Sequence, residues 1–145
     1  MSKIYVLNGP NLNLLGAREP EIYGSLSLDE ITGVLSARAE ALGAEVTCLQ
    51  TNSEDQLIQW LHEAFAEKAS VILNPAAFTH YSYALRDACA VLTSSGLALI
   101  EVHLTNPHSR ETFRHNSVIS GVATGVIAGF GVDSYLLALE QLARH

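Results

Sequence analysis

Lys3-Ile4-Tyr5-Val6-Leu7-Asn8 runs straight into Gly9-Pro10-Asn11. The run is short and apolar and stops at a Gly-Pro turn signal, so it reads as a buried strand followed by a polar loop. Four further runs of this kind lie at Glu45–Gln50, Ser70–Asn74, Leu97–Val102 and Gly125–Phe130. Between them stand longer segments of helical period. Ser27 with Glu30, and Ser53 with Gln56, have the spacing of capping boxes, in which side chains satisfy free N–H groups of the first turn. Gly43 ends the first helix, and two more are expected over Tyr81–Leu92 and Asp133–Ala143.

This alternation predicts an α/β protein with helices on both faces of a parallel sheet. Five strands with such crossovers suggest a flavodoxin-like three-layer sandwich in strand order 2-1-3-4-5, with ligands bound beyond the carboxyl ends of the strands. A chain of 145 residues suits a single catalytic domain, 1–145. The connection from Gly9 to Leu26 is long for a βα loop and holds Gly9, Pro10, Gly16, Pro20 and Gly24, so a mobile lid is expected at about residues 9–26.

Composition removes several classes of function. Hydrophobic residues at 48% and charged residues at 16% exclude a disordered chain and leave few charges to cover a lone surface, so part of that surface is expected to be buried between subunits. A formal charge of −7 with eight Lys and Arg argues against nucleic acid as a partner, while an anionic small molecule remains admissible. The longest apolar stretch, Val118 to Val132, is broken by Ser120 and Thr124 and is too short for a membrane span. The first residues lack the apolar run of an export signal, so a cytoplasmic location is expected. Cys48 and Cys89, without CxxC spacing, read as buried reduced thiols.

What is missing narrows the chemistry further. Neither Lys3 nor Lys68 stands where a desolvated, imine-forming amine is expected. There is no GxxxxGK[ST], and Gly129-Phe130-Gly131-Val132-Asp133-Ser134 reads as a tight turn rather than a dinucleotide loop. His80, His103, His108 and His115 lack metal-ligand spacing, so no metal and no cofactor are expected.

Ordinary side chains must then act, and polar residues do gather where strands one, three and four end: Asn8 to Asn11, Asn74-Pro75, and Glu101-Val102-His103. Glu101 and His103 alternate, so they share a face and the carboxylate can orient or charge the imidazole; a proton donor and a structural histidine are both admissible. In the lid, a Tyr23 phenol of ordinary pKa about 10 needs a nearby cation to act as a base. Arg18 can supply that cation, although a packed Tyr and a solvated Arg fit equally. Arg110 and Arg114 fall on one side if Ser109–Arg114 is helical. Asn74 and His80 stand within reach of a ligand, whereas Asp87, two turns into its helix, faces either a neighbouring subunit or solvent.

Taken together, Asn8 to Pro20 leading to Tyr23-Gly24, Thr79-His80 with Ala84-Leu85-Arg86-Asp87-Ala88, Glu101-Val102-His103 with Arg110-Glu111 and Phe113-Arg114, and Gly125-Val126-Ile127 resemble the type II 3-dehydroquinase family. The resemblance runs from the first strand to the last helix. It implies a lyase that converts 3-dehydroquinate to 3-dehydroshikimate and water in the shikimate pathway of aromatic amino-acid biosynthesis, or the same reaction in quinate breakdown. Tyr23 would accept the proton, with Arg18 holding it as phenolate. Asn11 would stabilise the enolate through a water, and His103, oriented by Glu101, would protonate the departing hydroxyl. Asn74, His80 and Arg114 would hold ring hydroxyls, the backbone at Leu104 and Thr105 the carboxylate, and Arg110 the electrostatics of the lid. Asp87 would reach an adjacent subunit of a homododecamer, a tetramer of trimers. Where the family usually has Asn-Pro-Gly this chain has Asn74-Pro75-Ala76, and Ser53 and Leu104-Thr105 are further departures. The rival reading is a flavodoxin-like module that binds a nucleotide or flavin without catalysis.

Overall fold

The computed structural model describes residues 2–17, 19–23 and 25–144, without the side chains of residues 20 and 23. Five strands, β1 (Ser2–Asn8), β2 (Ala44–Gln50), β3 (Ser70–Asn74), β4 (Leu99–His103) and β5 (Gly125–Ala128), form one sheet. All neighbours pair in parallel, in the expected order β2-β1-β3-β4-β5. The helices are α1 (Pro20–Tyr23), α2 (Leu28–Leu42), α3 (Glu54–Glu67), α4 (Tyr83–Ser94) and α5 (Val132–Ala143).

Successive strand residues serve opposite faces, which is why the central strands are apolar at consecutive positions, Ile4 to Leu7 in β1 and Val71 to Leu73 in β3, rather than at alternate ones. Ile4 and Val6 of β1, Ile72 of β3 and Ile100 and Val102 of β4 join a core with α2 and α5. Tyr5, Leu7, Val71, Leu73 and Leu99 join a second core with α3 and α4. Each fully buried Leu or Ile contributes roughly 1.5–3 kcal/mol of transfer free energy.

The element edges depart from the sequence reading in specific places. β4 starts at Leu99 rather than Leu97: the chain turns at Gly96, with φ 91°, and Leu97 and Ala98 lead into the strand before the paired register with β3 begins at Leu99. β5 ends at Ala128 rather than Phe130, because Gly129 at φ 96° leaves the ladder. The helix expected from Tyr81 begins at Tyr83, capped by Ser82, after a 3-10 turn over Ala76–His80. Ser27 and Glu30 form the full capping box; Ser53 makes only its own half, because its N–H is taken by Thr51 Oγ1 at 3.0 Å.

Parallel pairing brings the carboxyl ends of the strands to one end of the sheet, with Gln50, Asn8 and Asn74 in register there. The opposite end carries a separate hollow lined by Lys3, Lys68, Ser70, Leu97 and Gln141, where Lys3 Nζ lies 3.5 Å from Glu67. No helix among the described residues is long and apolar enough to cross a membrane.

Candidate active site

The loop after β1 is fastened before it reaches the site. Gly9 N–H donates to the Asn74 carbonyl at 2.8 Å, and a Cβ at position 9 would lie 2.7 Å from the Pro75 oxygen, so only glycine permits this approach. Asn11 follows in the left-handed region with φ 69°, its N–H donating to Asn52 Oδ1 at 3.0 Å. Gln50 Nε2 holds the same loop through the Gly9 carbonyl at 3.1 Å and Asn52 Oδ1 at 3.2 Å.

At the end of β4 the predicted pair is present. Glu101 is buried, and its Oε2 lies 2.5 Å from His103 Nε2. Three hydroxyls also donate to this carboxylate: Thr79 at 2.7 Å, Ser120 at 2.6 Å and Ser117 at 3.2 Å. Burial by itself pushes the Glu101 carboxyl up, but His103 and the hydroxyl donors outweigh it and leave the group below its ordinary range. A carboxylate so occupied is a weak base, suited to supporting a charged imidazole without taking its proton. With Nε2 held, Nδ1 is the ring nitrogen left for a ligand.

A cleft opens over this pair, lined by Asn11, Asn74, His80, His103, Leu104, Thr105, Arg110 and Arg114. His80 Nδ1 lies 2.7 Å from the Asn116 carbonyl, which accepts only, so Nδ1 bears the proton and Nε2 is the acceptor whenever the ring is neutral. Both arginines reach the cleft, although Ser109–Arg114 is not one helix. Extended backbone at Arg110 and Glu111 splits the segment into 3-10 turns at Pro107–Ser109 and Thr112–His115, the first closed by Asn106 Oδ1 on His108 N–H. The Glu111 carboxylate draws the arginines together instead, at 3.1 Å from Arg114 Nε and 3.9 Å from Arg110 Nε. Arg110 also donates to Thr105 Oγ1 at 3.3 Å, and the Arg114 guanidinium lies 4.6 Å from the Phe113 ring centroid.

Eight of the predicted site residues thus line one cleft, with Glu101 directly behind it. Asp87 is elsewhere: its side chain is 72% exposed and pairs with Arg86 at 2.8 Å. Arg18 and the Tyr23 side chain lie outside the described residues. Ile22, next to Tyr23 in the chain, shares a hollow with Leu104, Thr105 and Arg110 beside the cleft. Sequence reasoning missed Thr79, Ser117 and Ser120 as partners of Glu101, and Tyr135 as the partner of both Asn74 and Asn8. Ser120 left a trace as a polar break in an apolar run, and Thr79 as the neighbour of His80, but Ser117 and Tyr135 left none.

Comparison with known proteins identifies the family. The sequence model of the family described as dehydroquinase class II matches residues 2–143. The chain is 56% identical over 141 residues to the 3-dehydroquinate dehydratase of Pelotomaculum thermopropionicum, covering 97% of this chain and 96% of that one. It is 54% identical over 141 residues to the 3-dehydroquinate dehydratase of Salinispora tropica, with the same two coverages, 97% and 96%. The crystal structure of the type II dehydroquinase from Propionibacterium acnes matches with a TM-score of 0.96 at 44% identity, over 100% of this chain and 98% of the other. The match of the family model over residues 2–143, relatives that match over almost their whole length and the shared fold place the chain in the class II dehydroquinase family.

Proposed function

We propose that this chain is a hydro-lyase that takes water out of 3-dehydroquinate, through an enolate, to give 3-dehydroshikimate. The observation that carries the reading is the hydroxyl-bound Glu101 carboxylate on His103 Nε2 at the wall of a cleft that also holds two guanidinium groups. A carboxylic acid is attracted there by charge, and the imidazole is set to donate from Nδ1.

In the proposed reaction Tyr23, kept as phenolate by Arg18, takes a proton from the carbon beside the ketone. Asn11 stabilises the enolate through a water. His103 then gives its Nδ1 proton to the departing hydroxyl while Glu101 supports the imidazolium. Each turnover leaves Tyr23 holding the substrate's proton and His103 without the one that left in water, and solvent restores both groups. Asn74, His80 and Arg114 hold ring hydroxyls, the backbone at Leu104 and Thr105 holds the carboxylate, and Arg110 sets the field under the lid.

Residues 1–145 act as one catalytic domain, with the loop at about 9–26 closing over substrate. The enzyme works in the cytoplasm, in the shikimate pathway, as a homododecamer of four trimers in which Asp87 reaches a neighbour's site; the exposure of its side chain supports that role. A cleft of about 150 Å³ favours a small acid over a flavin or nucleotide, since pockets for drug-sized ligands measure roughly 300–1,000 Å³.

The test is a direct assay. Purified protein should form a conjugated enone from 3-dehydroquinate, seen by ultraviolet absorbance, with a rate indifferent to chelator. Borohydride with substrate should trap no covalent adduct; a trapped imine would exclude the enolate route through Tyr23. A folded Tyr23→Phe variant should lose turnover, and wild-type turnover there would remove Tyr23 as the base. Sedimentation should give twelve chains.

A further inference from the structure

Beneath the cleft a run of buried hydrogen bonds joins four elements, β2, β1, α5 and β3. Asn8, at the end of β1, donates from Nδ2 to the Leu49 carbonyl at 3.3 Å. Tyr135, in the first turn of α5, donates its hydroxyl proton to Asn8 Oδ1 at 2.6 Å. Asn74, at the end of β3, donates from Nδ2 to the Tyr135 oxygen at 2.9 Å. The Ala76 N–H donates to Asn74 Oδ1 at 3.1 Å, closing an Asx turn across Pro75. Asn8 and Tyr135 are 2% and 0% exposed, so burial favours keeping each of their bonds made, while Asn74, 3% exposed, borders the cleft.

Both ends of this run are backbone groups with a single role. The Leu49 carbonyl only accepts, so Asn8 must turn its NH2 toward it and its oxygen toward Tyr135. The phenol must then donate to Asn8, which leaves its lone pair for Asn74. From the other end, the Ala76 N–H only donates, so Asn74 must turn its oxygen there and its NH2 toward Tyr135. The two ends demand the same sense, and reversing any one member would set donor against donor or acceptor against acceptor. Burial pushes the Tyr135 phenol above its ordinary range, so the group keeps the proton that the run requires.

Asn74 therefore holds one uncommitted Nδ2 hydrogen and one uncommitted Oδ1 lone pair at fixed places in the cleft wall. We infer that Tyr135 and Asn8 are positioning residues that fix the polarity with which the Asn74 carboxamide meets a substrate hydroxyl. This rests on the substrate role proposed above for Asn74. Neither Tyr135 nor Asn8 touches substrate; both act through Asn74.

The test is a double-mutant cycle read in kinetics. Tyr135→Phe keeps the ring and removes the hydroxyl, so KM for 3-dehydroquinate should rise about tenfold while kcat stays within about twofold. In an Asn74→Ala background the same substitution should change KM by less than about twofold, because the group it orients is gone. Equal losses in both backgrounds, or a fall in kcat at unchanged KM, would mark Tyr135 as merely structural and overturn the inference. Circular dichroism and thermal melting check the fold of each variant. If Tyr135→Phe does not fold, Asn8→Ala carries the same cycle with the same expectation, and collapse of both assigns the run to folding and overturns the inference. An Asn74→Ala variant with unchanged KM removes the substrate role of Asn74 and this inference with it. If Asn74→Ala raises KM and Tyr135→Phe does not, the inference alone falls.

Discussion

Ala76 carries a methyl group on backbone that disfavours one, since its φ of 52° lies in the left-handed region where Cβ crowds the carbonyl. Ala76→Gly should therefore raise stability by about 1 kcal/mol, less whatever the freer unfolded chain takes back. Urea unfolding would show this as a higher midpoint at unchanged slope. Gly9 is the opposite case, with the Pro75 oxygen where a Cβ would stand. Gly9→Ala should cost on the order of 2–3 kcal/mol and lower turnover, because β1 and β3 must separate at the site. At this scale the sequence was partly legible. Alternation along a strand was enough to pair Glu101 with His103, whereas Thr79 and Ser117 look like any other hydroxyl residue until the fold brings them to that carboxylate.

Two helices with the same start signal behave differently at the scale of the element. At α2 the Glu30 side chain returns to the Ser27 N–H at 3.1 Å, whereas at α3 the equivalent N–H is occupied by Thr51. Glu30→Ala should thus cost about 0.5–1 kcal/mol in thermal or urea unfolding, and Gln56→Ala close to nothing. Equal costs would refute the distinction. Strands and helices were readable because period and caps are local signals; the edge set by Gly129 depends on a backbone angle that a glycine allows but does not announce. The break at Arg110 and Glu111 was illegible for a related reason. Spacing alone says that two arginines can share a side, not that Glu111 gathers them without a helix.

For the whole molecule, the buried Glu101 couples folding to acidity. Its folded-state value lies below the ordinary carboxylate value of about 4.3, so its ionised form contributes stability that is fully present above about pH 4.3 and is lost as pH falls through the depressed value. Glu101→Gln should lower stability at neutral pH and flatten the decline on the acid side, as urea midpoints from about pH 7 down to about pH 3 would show. An unchanged acid decline would place the linkage on other carboxylates. The sheet order and the end of the sheet that bears the cleft were both legible, since they follow from alternation and from parallel pairing. The site's depth was not, because Tyr135 meets Asn8 across 127 positions of chain that no local pattern connects.

The hollow at the amino ends of the strands holds both lysines of the chain, Lys3 and Lys68, at the pole farthest from the cleft. Amine-reactive coupling to a bead would therefore attach the protein through side chains remote from the catalytic mouth, so the tethered enzyme should keep its access to small acids in the surrounding buffer.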